Sequence, residues 1–129
     1  MRYTFRKQER LKSRKQIAAL FKNKHTVGAY PLRIFWGERA TAANDYPVSI
    51  GFNVSKRVFK HAVDRNRYRR LMQEAFRLNK QELYDFLETQ EKQLNLMLIF
   101  VGKEGADYAT VERKFKKLIT KLISEIKSV

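Results

Sequence analysis

The stretch AVDRNRYRRLMQEAF, residues 62–76, combines cationic side chains with the apolar spacing of a helix. On a wheel of about 100° per residue, its basic and apolar residues occupy separate arcs, except that Phe76 falls in the basic arc. Guanidinium groups match phosphate oxygens with two parallel hydrogen bonds. Only Glu74 offers local neutralisation, through an i,i+4 pair with Arg70. The pattern favours a phosphate-binding face over a merely solvated one.

Further positive charge flanks this helix. Lys56, Arg57 and Lys60 lie where a strand leads into it, and helix N-termini favour anions. The whole chain of 129 residues has a net charge of +15 and a pI near 10.3. Such an excess of charge indicates a polyanionic partner, which could be nucleic acid, an anionic membrane surface or an acidic protein.

Other classes of protein are disfavoured by what the chain lacks. Without cysteine it forms neither disulfides nor thiolate metal sites. Its longest apolar run, LMLIFV, is too short to span a bilayer, and its N-terminus has no signal-peptide pattern, so we expect a cytoplasmic protein. The two histidines are far apart, and Asp45, Asp64 and Asp107 are isolated. We therefore expect neither a catalytic nor a metal site in the chain itself.

Three helices are predicted from periodicity and capping residues. The first, SRKQIAALFK, begins after Ser13 as its cap. The arginine helix runs from about Ala62 into the eighties, and the last helix begins near Thr110 as its cap. Residues 1–10 are expected to form a flexible basic segment of a single domain, 1–129.

Strands are predicted from alternation and from apolar runs. YPLRIFW and PVSIGFNV alternate with period two, and LNLMLIFVG is apolar enough to lie inside the sheet. The element order α-β-β-α-β-α, with room for an extra early strand, predicts an α+β fold with helices packed on one sheet.

The segment SKRVFKHAVDRNRYRRLMQEAFR resembles the signature of the bacterial ribonuclease P protein component. That family carries a basic Lys-Lys/Arg segment, an Ala three residues before an Arg-Asn-Arg core, and then a Lys/Arg-Arg pair. The matching residues are Lys56, Arg57, Ala62, Arg65, Asn66, Arg67, Arg69 and Arg70. Length, element order and a Gly-Phe strand before the signature extend the resemblance over the whole chain.

The resemblance implies a two-layer α-β sandwich like the second domain of ribosomal protein S5. The implied order is α-β-β-β-α-β-α, with a left-handed crossover through the arginine helix. It also implies removal of the 5′ leader of precursor transfer RNA. The catalyst of that reaction is an RNA subunit, and Mg²⁺ is expected to be positioned mainly by the RNA. The protein would bind the catalytic RNA and the precursor, with no catalytic residue and no obligate protein partner.

Two sets of site residues follow from the family motifs. Those expected to bind the catalytic RNA are Lys56, Arg57, Lys60, Arg65, Asn66, Arg67, Arg69 and Arg70. Those expected to form a cleft for the single-stranded leader are Ile17, Phe21, Arg33 and Phe35. Aromatic side chains beside positive charge suit single strands, because stacking tolerates any base. Three positions depart from the family: Ile17 replaces a frequent Phe, Gln73 a usual Lys or Arg, and Tyr68 an aliphatic residue.

Several alternatives remain open at this point. The chain could be a ribosomal or assembly protein that binds RNA without any part in processing. An autonomous nuclease is disfavoured because clustered carboxylates are missing. Phe21 and Phe35 could belong to the core. The last helix is basic and amphipathic, which fits a membrane surface, but its apolar stripe also fits packing on a sheet, and no membrane partner is expected.

Overall fold

The computed structural model describes residues 5–23, 25–39 and 46–128, which form one sheet with helices on both of its faces. A 3₁₀ turn at Lys7–Glu9 precedes the first helix. The remaining elements are α1 Arg14–Lys22, β1 Thr26–Ala29, β2 Leu32–Glu38, β3 Val48–Val54, α2 Ala62–Asn79, α3 Gln81–Gln90, β4 Leu94–Phe100 and α4 Tyr108–Lys127.

The four strands lie in the order β1-β2-β4-β3. β4 pairs antiparallel with β2 and parallel with β3, so the most apolar strand is an inner one, as predicted. Because β3 and β4 are parallel, the chain between them crosses over through α2 and α3. The left hand of that crossover stays a prediction of the family resemblance.

The alternation of β2 separates the two faces of the sheet. Leu32, Ile34 and Trp36 are buried in the main core, whereas Arg33 and Phe35 point to the other face, as the period-two alternation of YPLRIFW requires. The main core is shared with α2, α3 and α4. The opposite face is partly covered by α1, so the expected two-layer sandwich gains a partial third layer there.

Two helix boundaries differ from the prediction. The arginine helix does not continue into the eighties, because Lys80 separates α2 from α3. The last helix is capped by Asp107 and not by Thr110, since the Asp107 carboxylate accepts the backbone N–H of Thr110 at 2.9 Å. Ser13 caps α1 as predicted, accepting the N–H of Gln16 at 3.3 Å.

The N-terminal segment is packed where the structure describes it, in contrast to the flexible residues 1–10 that we expected. Phe5 lies edge-on against Phe52 and Phe76, and Glu9 is fully buried. The N–H of Leu11 donates to the carbonyl of Ile50 at 2.9 Å, which anchors the segment along β3. Residues 1–4 lie outside the described part of the chain.

Candidate nucleic-acid interface

Helix α2 buries one side and displays the other. Tyr68, Met72, Ala75 and Phe76 are buried against the sheet and α4. On the outer side, Asn66, Arg67 and Arg70 are exposed and Arg69 is half-buried. We call these four outer residues the arginine face.

Arg65 has a different position from the rest of the motif. Its Nη1 donates to the carbonyl oxygens of Phe59, at 2.8 Å, and Lys60, at 2.9 Å. On the helix it lies within about 20° of the buried Phe76, so its guanidinium turns toward the preceding loop. There it fixes the backbone that carries the exposed Lys56, Arg57 and Lys60. Arg65, which was predicted to contact phosphate, therefore also orders the basic loop that contains Lys56, Arg57 and Lys60.

Asn66 and Arg69 orient each other on the arginine face. Nη1 of Arg69 donates to Oδ1 of Asn66 at 2.7 Å, one helical turn away. This bond occupies one lone pair of the amide oxygen and leaves the N–H₂ group as a donor. The arginine face therefore presents mainly donors, which is what phosphate oxygens require.

Glu74 does not pair with Arg70, so that prediction was wrong. Its carboxylate instead forms a two-pronged pair with Arg77, at 2.8 Å from Nη2 and 3.0 Å from Nε. The hydrogen bond from Arg77 lowers the pKa of Glu74 and keeps it ionised. Arg70 consequently has no acidic partner among the described residues. Its charge remains uncompensated at the centre of the exposed side.

The wheel was also wrong about Phe76, which it placed in the basic arc. The side chain is fully buried, 5.8 Å between ring centroids from Phe5 and 6.2 Å from Phe52 and Phe115. The N-terminal segment covers α2 from this side, so the apolar arc is wider toward the C-terminal end of the helix. The basic face is confined to the first half of α2.

The four residues predicted for the leader cleft come together on the open face of the sheet. The rings of Phe21 in α1 and Phe35 in β2 are 4.9 Å apart and tilted by 59°. Ile17 and Phe35 pack on the small cluster of Leu11, Leu20 and Met97 between α1 and the sheet. Phe21 remains 43% exposed, so one aromatic edge of the cleft is open to a ligand.

Arg33 is held flat at the edge of this cleft. Its Nη1 donates to Oγ1 of Thr26 at 3.2 Å, and that hydroxyl donates onward to the carbonyl of Ile34 at 2.9 Å. A Cβ atom added to Gly28 would lie 3.0 Å from Nη2 of Arg33, so glycine is what lets the guanidinium cross β1. The positive charge thereby stays next to the aromatic pair.

Sequence reasoning missed the residues that support the cleft. Thr26 and Gly28 hold Arg33, and they lie in a short strand whose partner only the fold supplies. Gly51 makes room for Met97, because a Cβ atom there would lie 2.7 Å from the Met97 Cε. The available signal was the run of small residues on the second face of PVSIGFNV.

No group of three metal-ligating side chains comes together in the described ranges 5–23, 25–39 and 46–128. Asp64 and Asp107 lie at the starts of α2 and α4, and hydrogen bonds from the side chain and then from the backbone N–H of Thr110 lower the pKa of Asp107. Asp45 falls outside the described residues. Among the helices that are described, none is both long and apolar enough to cross a membrane.

Comparison with known proteins agrees with this geometry. A family model described as Ribonuclease P matches residues 5–123. The ribonuclease P protein component of Porphyromonas gingivalis is 35% identical over 124 residues, covering 95% of this chain and 88% of the relative. That of Vibrio cholerae is 33% identical over 116 residues, covering 90% and 86%.

A solved structure of the Staphylococcus aureus RNase P protein has the same fold. It superposes with a TM-score of 0.70 at 16% identity, covering 88% of this chain and 94% of that one. The fold, the position of the arginine motif and the extent of the sequence match lead to one conclusion. The chain belongs to the ribonuclease P protein family.

Proposed function

We propose that this protein, as a subunit of ribonuclease P, binds the catalytic RNA and the 5′ leader of precursor transfer RNA during 5′ maturation. The basic loop and the arginine face contact the catalytic RNA, and the cleft holds the leader. The observation that carries this proposal is the contact between Phe21 and Phe35 beside the fixed guanidinium of Arg33. Stacking and charge are what a single strand of any sequence can use.

The chemical step is assigned to the RNA subunit, with Mg²⁺ positioned mainly by the RNA. The described residues do not fit a protein-held metal, because they gather no three carboxylate or imidazole groups at one place. No step of the mechanism is therefore routed through a metal on this chain. The protein acts by binding, in the cytoplasm, before and during cleavage.

The two surfaces divide this binding between them. The arginine face and the loop held by Arg65 neutralise phosphates of the folded RNA, which screens its self-repulsion. The cleft orders the leader by stacking on Phe21, with Arg33 near the backbone. Because the leader is already held next to the scissile bond, less entropy is lost when the substrate reaches the reactive geometry.

The decisive experiment is cleavage of precursor transfer RNA by a bacterial catalytic RNA at low magnesium, with and without the protein. Strong stimulation, with the protein alone inactive, is expected. Tight RNA binding without stimulation would reject the subunit role and favour a general RNA-binding protein of the same fold. Cleavage by the protein alone would reject the assignment of the chemistry to RNA.

A further inference from the structure

Helix α4 carries a second basic surface that the motif residues do not include. Six of its residues are buried in the core: Val111, Phe115, Leu118, Ile119, Leu122 and Ile126. Its exposed residues fall within an arc of about 140° on the other side. That arc contains Arg113, Lys116, Lys117, Lys121 and Lys127 and no acid. We call Arg113, Lys116 and Lys117 the α4 stripe.

The acid nearest to the stripe is occupied elsewhere. An i,i+4 pair between Glu112 and Lys116 would be the ordinary expectation on a helix. Instead, the Glu112 carboxylate accepts Nδ2 of Asn79 at 3.0 Å and the hydroxyl of Tyr108 at 2.9 Å. The bond from Asn79, at the end of α2, is the main cause that lowers the pKa of Glu112. The carboxylate is thus ionised but turned toward α2.

The stripe is consequently compensated only at a distance, since Glu112 and Asp107 act on Lys116 and Arg113 without forming ion pairs with them. Arg113, Lys116 and Lys117 form no ion pair within the part of the chain that the structure describes. They border a groove of about 440 Å³ together with Ala109, Glu112 and Thr120. Lys121, one turn further on, is engaged differently, since its Nζ donates to the carbonyl of Gly28 at 2.7 Å. Three adjacent cations around one groove are therefore available to a polyanion.

The stripe lies close to the arginine face. Arg67, Asp107 and Thr110 border a common groove of about 550 Å³, where the start of α4 meets α2. From there the stripe begins one turn further along α4. The leader cleft lies on the opposite face of the sheet, next to α1. A strand held in the cleft cannot therefore be the ligand of the stripe.

Resting on the proposed function, we infer that the α4 stripe binds the phosphate backbone of a further segment of the catalytic RNA, next to the segment held by the arginine face. RNA fits this surface better than a membrane does, because the apolar residues of α4 are buried and none is left to insert into lipid. A row of exposed cations that form no direct ion pair is the electrostatic pattern of a phosphate contact.

The test compares two double variants that lower the net charge equally. K116Q/K117Q removes charge from the stripe. K92Q/K127Q removes it from Lys92, which pairs with Glu38, and from Lys127, which lies on the same side of α4 but about 15 Å beyond Lys117, over the Phe86 ring. Binding to a transcribed bacterial ribonuclease P RNA is measured over a range of salt concentrations. Circular dichroism melts of all three proteins establish that both variants are folded.

We expect the salt slope of K116Q/K117Q to fall by about 1.4 to 1.8, at 0.7 to 0.9 per lost phosphate contact, and that of the control to change little. The preference for leader-bearing precursor over mature transfer RNA should stay unchanged. Equal slopes for both variants would overturn the inference. The inference would also be overturned if K116Q/K117Q kept the salt slope of RNA binding but lost binding to phosphatidylglycerol vesicles, because the stripe would then bind a membrane surface. Because the slope measures binding alone, it decides this question even if the wild-type protein fails to stimulate cleavage.

Discussion

The Nζ atom of Lys80 lies 2.5 Å from Oε2 of Glu9, and both side chains are buried although 71 positions separate them. The same carboxylate accepts the hydroxyl of Tyr84 through Oε2 and the N–H of Arg6 at 2.7 Å through Oε1. Lys80 also lies over the rings of Phe76 and Tyr84. This network joins the N-terminal segment, which leads into α1, to the junction of α2 and α3.

Replacing Glu9 with Met should lower the free energy of unfolding by about 3 to 5 kcal/mol, because it breaks the buried ion pair with Lys80 by removing one of its partners. The double variant E9M/K80M should lose less than the sum of the two single variants. Urea denaturation measures all three. Lys92→Met is the control: it breaks the exposed pair with Glu38, at 3.1 Å, and should cost under about 1 kcal/mol. A similarly small loss for Glu9→Met would contradict the network.

The buried phenol of Tyr84 should make the free energy of unfolding decrease as the pH rises. Burial, and next its hydrogen bond to Glu9, raise the pKa of the phenol far above its ordinary value. The folded state then binds more protons than the unfolded state at alkaline pH, so stability is full below the ordinary pKa of about 10 and declines above it. Above that pH the decline from this group approaches about 1.4 kcal/mol per pH unit.

Tyr84→Phe should remove this contribution to the decline. The check is a series of urea unfolding curves between about pH 8 and pH 11, recorded for wild type and variant side by side. Other tyrosines and lysines titrate in both proteins and cancel in the difference. If the free energies of unfolding of the two proteins changed in parallel with pH, the fold would not be holding the Tyr84 phenol protonated.

Local patterns in the sequence predicted much of the fold. The alternation in β2 placed Arg33 and Phe35 on one face and Ile34 on the other, since side chains alternate strictly along a strand. The apolar composition of β4 predicted an inner strand. The cleft residues could be brought together only through the family resemblance, because their contacts join α1 to a strand that pairs with distant segments.

The errors arose where a distant segment changes the surroundings of a helix. A wheel assumes that each helix has one buried side, but the N-terminal segment adds another contact, with Phe5 covering Phe76 and Glu9 drawing in Lys80. Phe5 and Glu9 lie outside the sequence of the helix, so a helical wheel cannot include them. The choice of Glu74 between Arg70 and Arg77 also depends on rotamers, because i,i+3 and i,i+4 partners are about equally close.

Arg65 and Arg70 should respond differently to replacement with Ala, although both belong to the motif. Arg70→Ala should reduce the salt slope of catalytic-RNA binding by about 0.7 to 0.9 and leave stability within about 0.5 kcal/mol of wild type. Arg65→Ala removes two hydrogen bonds from a charged donor to the loop carbonyls, which should cost about 1.5 to 3 kcal/mol. Urea denaturation and filter binding separate the two effects. Equal stability of both variants would mean that Arg65 does not hold the loop.

Phe21→Ala should weaken binding of leader-bearing precursor by about 1 to 3 kcal/mol, which is the range for one base stacked on an aromatic ring. Mature transfer RNA lacks the leader, so its affinity should not change. Because Phe21 is 43% exposed, its removal should perturb folding less than removal of the half-buried Phe35. Tyr30→Ala is a matched control, since that ring is 63% exposed in the turn between β1 and β2. Equal losses for precursor and mature RNA would place Phe21 outside the leader site, and an equal effect of Tyr30→Ala on the precursor would show that exposed rings contribute without regard to position.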